Sequence, residues 1–125
     1  RIAKVISCFS SVLKWKLVHH AELERWTRGN VALLGDCAHP TLPYQAQGAA
    51  MAVEDGATLG YLLGCFLRTS SSTLSRKEID VASVLKLYES VQKPFTTMNV
   101  KRVGVNREMY HLPDGEEQIS RDGEL

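Results

Sequence analysis

A chain of 125 residues with 44% apolar and 23% charged side chains has the composition of one globular domain, which excludes a fibrous or disordered protein. Fifteen Lys and Arg against fourteen Asp and Glu give a formal charge of +1, which argues against a basic nucleic-acid module. Cys8, Cys37 and Cys65 are too scattered for a disulfide framework, and the uncharged runs 41–53 and 56–67 are shorter than the roughly 20 residues of a membrane span.

Residues 1–15 set Ile2, Val5, Ile6, Phe9, Val12 and Leu13 at helical spacing, which predicts an amphipathic helix. Residues 15–19 alternate loosely and predict a short strand, and the charged stretch 20–28 reads as a connection. Gly29-Asn30 is a turn signal, and Val31-Ala32-Leu33-Leu34, stopping at Gly35-Asp36, predicts a short, fully buried strand. Pro40 and Pro43 make the next stretch a loop. From about Gln47 to Leu67 the pattern is helical and apolar on most sides near its start, so its first turns are expected to be buried. Thr69–Ser75 reads as an exposed loop. A second helix is predicted over 79–92, with Val81, Val84, Leu85, Tyr88 and Val91 on one face and Pro94 breaking or restarting it. Residues 95–110 continue at helical spacing with Lys101, Arg102 and Arg107 as a solvated basic face. Pro113-Asp114-Gly115 predicts a turn, and 112–125 a polar, frayed tail.

The segment with most chemistry is the apolar run, Gly35-Asp36, the proline-bearing loop and the alanine-rich helix opening at Gly48. It places the Asp36 carboxylate at a strand exit, suited to the hydroxyls of a sugar or ribityl chain. It also places Gly48 in a first helical turn, where unpaired N–H groups and the positive dipole end let an electron-rich edge approach. A turn- or helix-capping role is the alternative for Asp36. Glu54 and Asp55 read as dipole-compensating or Arg-pairing residues, and His39 as a loop residue without a nucleophile to activate. Gly56, Gly60 and Gly64 read as a ridge for close packing, and Trp15 and Trp26 as core residues. No Cys/His pair stands at metal-ligand spacing, so no metal is expected.

The string Gly35-Asp36-Cys37-Ala38-His39-Pro40-Thr41-Leu42-Pro43, continued by Gln47-Gly48-Ala49-Ala50 and Glu54-Asp55, resembles the GD-motif region of FAD-dependent aromatic hydroxylases. The closer similarity is to the fungal salicylate-hydroxylase-like branch of the group A flavoprotein monooxygenases. Trp15-Lys16-Leu17 resembles the strand before that motif, and Tyr88–Pro94 through His111–Gly115 the family's C-terminal helices. The resemblance implies FAD as cofactor, NAD(P)H as reductant, and a small aromatic substrate with O₂. It implies that Asp36 binds ribityl or ribose hydroxyls and that Pro43 and the backbone of 45–50 lie along the flavin ring. Gly48 and Ala49 amides would meet its N1/C2=O edge. Gly35, Gln47 and Ala50 complete the implied cofactor-binding set, and no catalytic residue is assigned. Cys37 stands where alanine is common in the family, and Ala50 where many members have Asn.

The implied fold is mostly α with a short β-strand pair: the C-terminal part of an α/β FAD-binding monooxygenase fold, without its N-terminal Rossmann βαβ unit. The implied organisation is a GD motif over 29–55, C-terminal helices over 79–111 and a polar tail over 112–125. No Gly-x-Gly-x-x-Gly spacing occurs among the glycines, and the chain opens on Arg1 rather than Met. Both features fit a portion of an enzyme about three times as long, inactive by itself. A non-catalytic scaffold protein truncated from the same fold is the alternative. Without a signal-peptide pattern the expected location is cytoplasmic, and the oligomeric state stays open.

Overall fold

Two long helices carry the chain. A computed structural model describes residues 2–14, 16–70 and 80–124. In order, these form α1 (Ile2–Ile6), a hairpin of β1 (Thr27–Arg28) and β2 (Val31–Ala32), and 3-10 turns at Gly35–Cys37 and Pro43–Gln45. Helices α2 (Gly48–Ser70), α3 (Val81–Tyr110) and α4 (Glu116–Glu124) follow. The fold is therefore mostly helical with one strand pair, as expected.

The strands pair antiparallel with Thr27 opposite Ala32 and Arg28 opposite Val31, which leaves Gly29-Asn30 as a two-residue loop. Gly29 sits at φ +57 while Asn30 does not have positive φ, the signature of a type II′ turn, and its twist suits a hairpin. Leu33 N donates to Trp26 O at 2.9 Å and extends the ladder by one step. The hairpin carries Trp26 into a core with Ala38 and Tyr88, packed by Leu23, Leu33, Leu59 and Leu62. Among the described residues helix α3 supplies most of the other buried positions, Val84, Leu85, Gln92, Thr96 and Val103, whereas Val91, expected on the same apolar face, is exposed. It begins at Asp80, whose side chain accepts from Ser83 N at 2.7 Å. That contact satisfies one of the unpaired amides of the first turn and holds the Asp80 carboxyl below the usual carboxylate range.

One stripe of α3 fastens the segment before the hairpin. Glu89 Oε2 accepts from Thr27 N (3.1 Å) and Thr27 Oγ1 (2.7 Å). One turn on, Lys93 Nζ donates to Glu24 O at 2.6 Å, and a turn further Thr97 Oγ1 donates to Glu22 Oε1 at 2.9 Å. These residues recur every four positions and therefore share a helix face.

Several expectations are corrected. The amphipathic helix expected over 1–15 stops at Ile6, and Phe9, Val12 and Leu13 lie exposed, because no described surface faces that apolar stripe. No strand forms over 16–19; the partner strand of the pair comes from the charged stretch instead. Trp15 lies outside the described residues, as do 71–79, which hold most of the Ser/Thr cluster and the expected helix start at Ile79. Thr69 and Ser70, expected in that loop, end α2. The Val31–Leu34 run is not buried: Val31 is 67% exposed, because the sheet has only two short strands and little of it is covered. In α2, Met51 and Asp55 are buried but Ala49, Ala50 and Val53 stand in solvent. Nothing approaches within 4 Å of a Cβ placed at Gly56 or Gly60, so the glycine ridge packs on no described element.

Pro94 does not break α3. Its missing N–H would have paired with Ser90 O, and both residues are exposed, so water can take that carbonyl. Thr96 Oγ1 also braces the turn by donating to Gln92 O and Lys93 O, at 3.2 and 3.1 Å. The expected frayed tail contains α4. Glu116 and Glu117 suit its N-terminal dipole end, and Arg121 Nη1 ties it to Met109 O at 2.6 Å. Residues 48–68 of α2 are long and apolar enough to cross a membrane, a property that core helices of soluble proteins share. Here Asp55, buried mid-helix, ties α2 to the Gly35 turn and to α3.

Candidate functional site

The chain leaves β2 through Leu34, still extended, and reverses at Gly35 with φ +61. A side chain there is disfavoured twice, by that backbone conformation and by Ala52 Cβ, 3.2 Å from where a Cβ would stand. Gly35 O accepts from Ala38 N (2.8 Å) and His39 N (3.0 Å), closing a 3-10 turn that directs Asp36 outward. Asp36 is exposed, and its carboxylate takes no hydrogen bond or ion pair from the described residues.

The same turn approaches the start of α2. A Cβ on Gly48 would stand 3.3 Å from Thr41 Cγ2 and 3.8 Å from Asp36 Oδ1. Sequence positions twelve apart are thus brought together as expected, and glycine keeps the space between them open. The first bonded amide of the helix is Met51 N, which donates to Gln47 O at 2.9 Å. The N–H groups of Gly48, Ala49 and Ala50 therefore precede the ladder and face away from it, at the positive end of the helix dipole. Pro43 opens the second 3-10 turn and is exposed, and Ala46, at φ 53, turns the chain from there into α2. Tyr44 anchors that loop to the far end of α3: its hydroxyl is hydrogen-bonded to His111 Nε2 at 2.9 Å, and its ring lies 6.2 Å from that of Tyr110. Gly35, Asp36, Gln47, Gly48, Ala49 and Ala50 thus form one patch, and Pro43 stands on the adjoining loop.

Beneath the patch lies a residue whose part sequence reasoning missed. Asp55 is fully buried. Its Oδ2 accepts from Gly35 N at 2.8 Å and from His39 Nε2 at 2.6 Å, and its Oδ1 from Gln92 Nε2 at 3.3 Å. A carboxylate only accepts, so His39 carries its proton on Nε2 in this contact. The His39 ring lies 5.3 Å from Trp26. Tyr88 donates to Leu33 O at 3.3 Å, and burial, reinforced by the nearby Asp55 charge, pushes its phenol well above the ordinary tyrosine range. Asp55 is neither compensating the dipole nor pairing with Arg; it joins the turn, the loop and α3. The adjacent Glu54-Asp55 pair in an apolar helix was the available signal, since a carboxylate on a buried face must find donors.

Among the described residues no group of three or more His, Cys, Asp or Glu is placed to hold a metal ion. An open cleft of about 760 Å³ is lined by Arg25, Arg28, Lys86, Glu89 and Lys93 and by none of the patch residues. Small-molecule sites are concave, so a ligand on this patch needs further walls.

A sequence profile of the FAD binding domain family matches residues 9–89. The chain is 35% identical over 123 residues to an FAD-dependent monooxygenase of Beauveria bassiana, covering 97% of this chain and 27% of that protein. It is 38% identical over 121 residues to a 3-amino-4-hydroxybenzoate 2-monooxygenase of Streptomyces cremeus, with 97% and 28% covered. It is 34% identical over 106 residues to a 3-hydroxybenzoate 6-hydroxylase of Klebsiella oxytoca, with 85% and 24% covered. The chain spans about a quarter of the length of these relatives. The match to the family profile runs from before the hairpin into the first third of α3 and includes the whole patch. The chain therefore belongs to the FAD-binding domain family of the flavoprotein monooxygenases, with FAD as the family's cofactor.

Proposed function

We propose that this chain forms one wall of the flavin site of a monooxygenase, the wall that meets the ribityl chain and the N1/C2=O edge of the ring. The observation that carries the reading is the closure of the 35–37 turn on the start of α2, where exposed Asp36 faces Gly48 so closely that a Cβ there would touch Asp36 Oδ1 at 3.8 Å and crowd Thr41 Cγ2 at 3.3 Å. In this reading Asp36 accepts hydrogen bonds from ribityl or ribose hydroxyls, and Gly35 provides the reversal that exposes it. Pro43 and the backbone of Gln47, Gly48, Ala49 and Ala50 lie along the ring. The amides of Gly48 and Ala49, held by the helix and needing no reorganisation, stabilise negative charge at that edge. Bound FAD supplies the electron transfer and dioxygen chemistry, for which this segment offers no side chain of its own.

The whole protein, in this reading, hydroxylates a small aromatic substrate of the salicylate type with O₂, and NAD(P)H is its reductant. Relatives named for 3-amino-4-hydroxybenzoate and 3-hydroxybenzoate support that substrate class, since salicylate is also a hydroxybenzoate. The 125 residues by themselves are expected to be inactive, because the patch is one wall and a flavin site needs several.

The test is an FAD titration of the full-length flavoprotein that carries this segment, followed by quenching of flavin fluorescence. Loss of charge-assisted hydrogen bonds in Asp36→Ala is expected to raise Kd about tenfold or more. Tight, stoichiometric quenching that Asp36→Ala leaves unchanged would remove Asp36 from the site.

A further inference from the structure

The patch contains only one side-chain charge, on Asp36, and that residue sits on a turn exposed to solvent. A short turn of this kind keeps one geometry only if something holds it from beneath. Gly35 O is held within the turn by Ala38 N and His39 N. Gly35 N points the other way, into the protein, and meets Asp55 Oδ2.

We propose that Asp55 is a positioning residue for the cofactor: through Gly35 N and His39 Nε2 it fixes the turn that aims Asp36, and so sets FAD affinity without touching FAD. The proposal rests on the flavin reading of Asp36 given above. Three observations carry it. Asp55 is 0% exposed, so its charge depends on the donors around it. The two sides of the turn, Gly35 and His39, converge on one oxygen, Oδ2, at 2.8 and 2.6 Å. The other oxygen, Oδ1, takes Gln92 Nε2 of α3 at 3.3 Å. One carboxylate thus faces the turn with one oxygen and the helix scaffold with the other. The division makes positioning separable from stability.

Asn is nearly isosteric with Asp but puts an NH₂ where one of the two oxygens was, so Asp55→Asn sets a donor against donors. If Oδ2 is the atom replaced, the Gly35 N–H contact is lost, because a backbone amide can only donate. If Oδ1 is replaced, the remaining oxygen is a neutral acceptor for two bonds that a carboxylate had held. Either way the turn loosens. Gln92→Met, in contrast, removes only the Oδ1 contact and leaves the turn bonded.

The experiment is a double-mutant cycle on FAD Kd in the full-length flavoprotein, measured by fluorescence quenching at a temperature where circular dichroism shows each variant folded. Asp55→Asn is expected to raise Kd about tenfold, whereas Gln92→Met lowers the melting temperature and leaves Kd within about twofold. Because Asp55 acts through Asp36, Asp36→Ala/Asp55→Asn is expected to bind within about twofold of Asp36→Ala alone. Wild-type affinity in Asp55→Asn, or losses that multiply fully in the double variant, would overturn the proposal. Hydrogen exchange in the wild-type apoprotein needs no variant to fold: peptides that isolate the Gly35 amide are expected to exchange slowly, and exchange at the rate of an unstructured amide contradicts the proposal. Asp36→Ala with wild-type affinity contradicts the flavin reading and the route from Asp55 to the cofactor together. Asp36→Ala weakened while Asp55→Asn is not contradicts the Asp55 proposal alone.

Discussion

Residues 3–14 and residues 26–55 both carry many apolar side chains, yet only the second stretch buries any of them. In the first stretch Phe9 is 60% and Leu13 99% exposed, and the helix ends after one turn. In the second, Trp26, Ala38, Met51 and Asp55 are buried. The difference is polar. The second stretch is cross-linked by hydrogen bonds between residues far apart in sequence: Thr27 to Glu89, Gly35 and His39 to Asp55, and Asp55 to Gln92. The described part of the first stretch makes only local bonds, such as Ser7 Oγ to Lys4 O. An apolar stripe states that a segment has a face to bury; where that face goes depends on a partner surface and on donors and acceptors that fix the approach.

The contrast can be broken most sharply by truncating one aromatic ring from each stretch. Trp26→Ala removes a buried ring that touches His39 and Tyr88, and is expected to cost about 3–5 kcal/mol of unfolding free energy. Phe9→Ala removes an exposed ring and is expected to stay within about 0.5 kcal/mol. Chemical denaturation of the two variants checks this, and equal losses would erase the distinction.

A smaller effect sharpens the polar side of the comparison. The Tyr88 phenol is pushed up from its ordinary value of 10.0, so the folded state holds that proton more tightly than the unfolded chain. Stability from this source is complete below pH 10 and is lost as pH rises above it. Tyr88→Phe is expected to cost about 1 kcal/mol at neutral pH, since Leu33 O loses its donor, and to remove that part of the alkaline loss. Denaturation at a series of pH values from 7 upward measures both.

The smallest effect concerns the α3 cap. Asp80 is held below its ordinary 3.8 by the Ser83 contacts, so its contribution is present above that pH and fades as pH falls through the lowered value. Asp80→Ala is expected to lower the melting temperature slightly at pH 7 and to match the wild type in strong acid.

What could be read from the sequence was local. Gly35-Asp36 and Gly48 were legible because a sharp turn at a strand exit and a helix start are set by a few neighbouring residues, and the structure brings them together as expected. The long helices were legible from their periodicity. Asp55 was not, because its role depends on donors 20, 16 and 37 residues away. Pro94 was misread as a break because its cost depends on whether the freed carbonyl faces solvent, a property of the packed helix and not of the proline. The strand partner was misplaced for a similar reason: Thr27-Arg28 lacks a strand pattern and is made one by the type II′ turn and by Glu89 across the fold.

The central claim is that the 35–37 turn and the start of α2 form a wall of the flavin site. A crystal structure of the full-length flavoprotein with FAD bound tests it most directly. The Asp36 carboxylate is expected within hydrogen-bond distance of a ribityl or ribose hydroxyl, with the N1/C2=O edge of the ring against the Gly48 and Ala49 amides. A flavin bound with its ring and sugar away from both would contradict it.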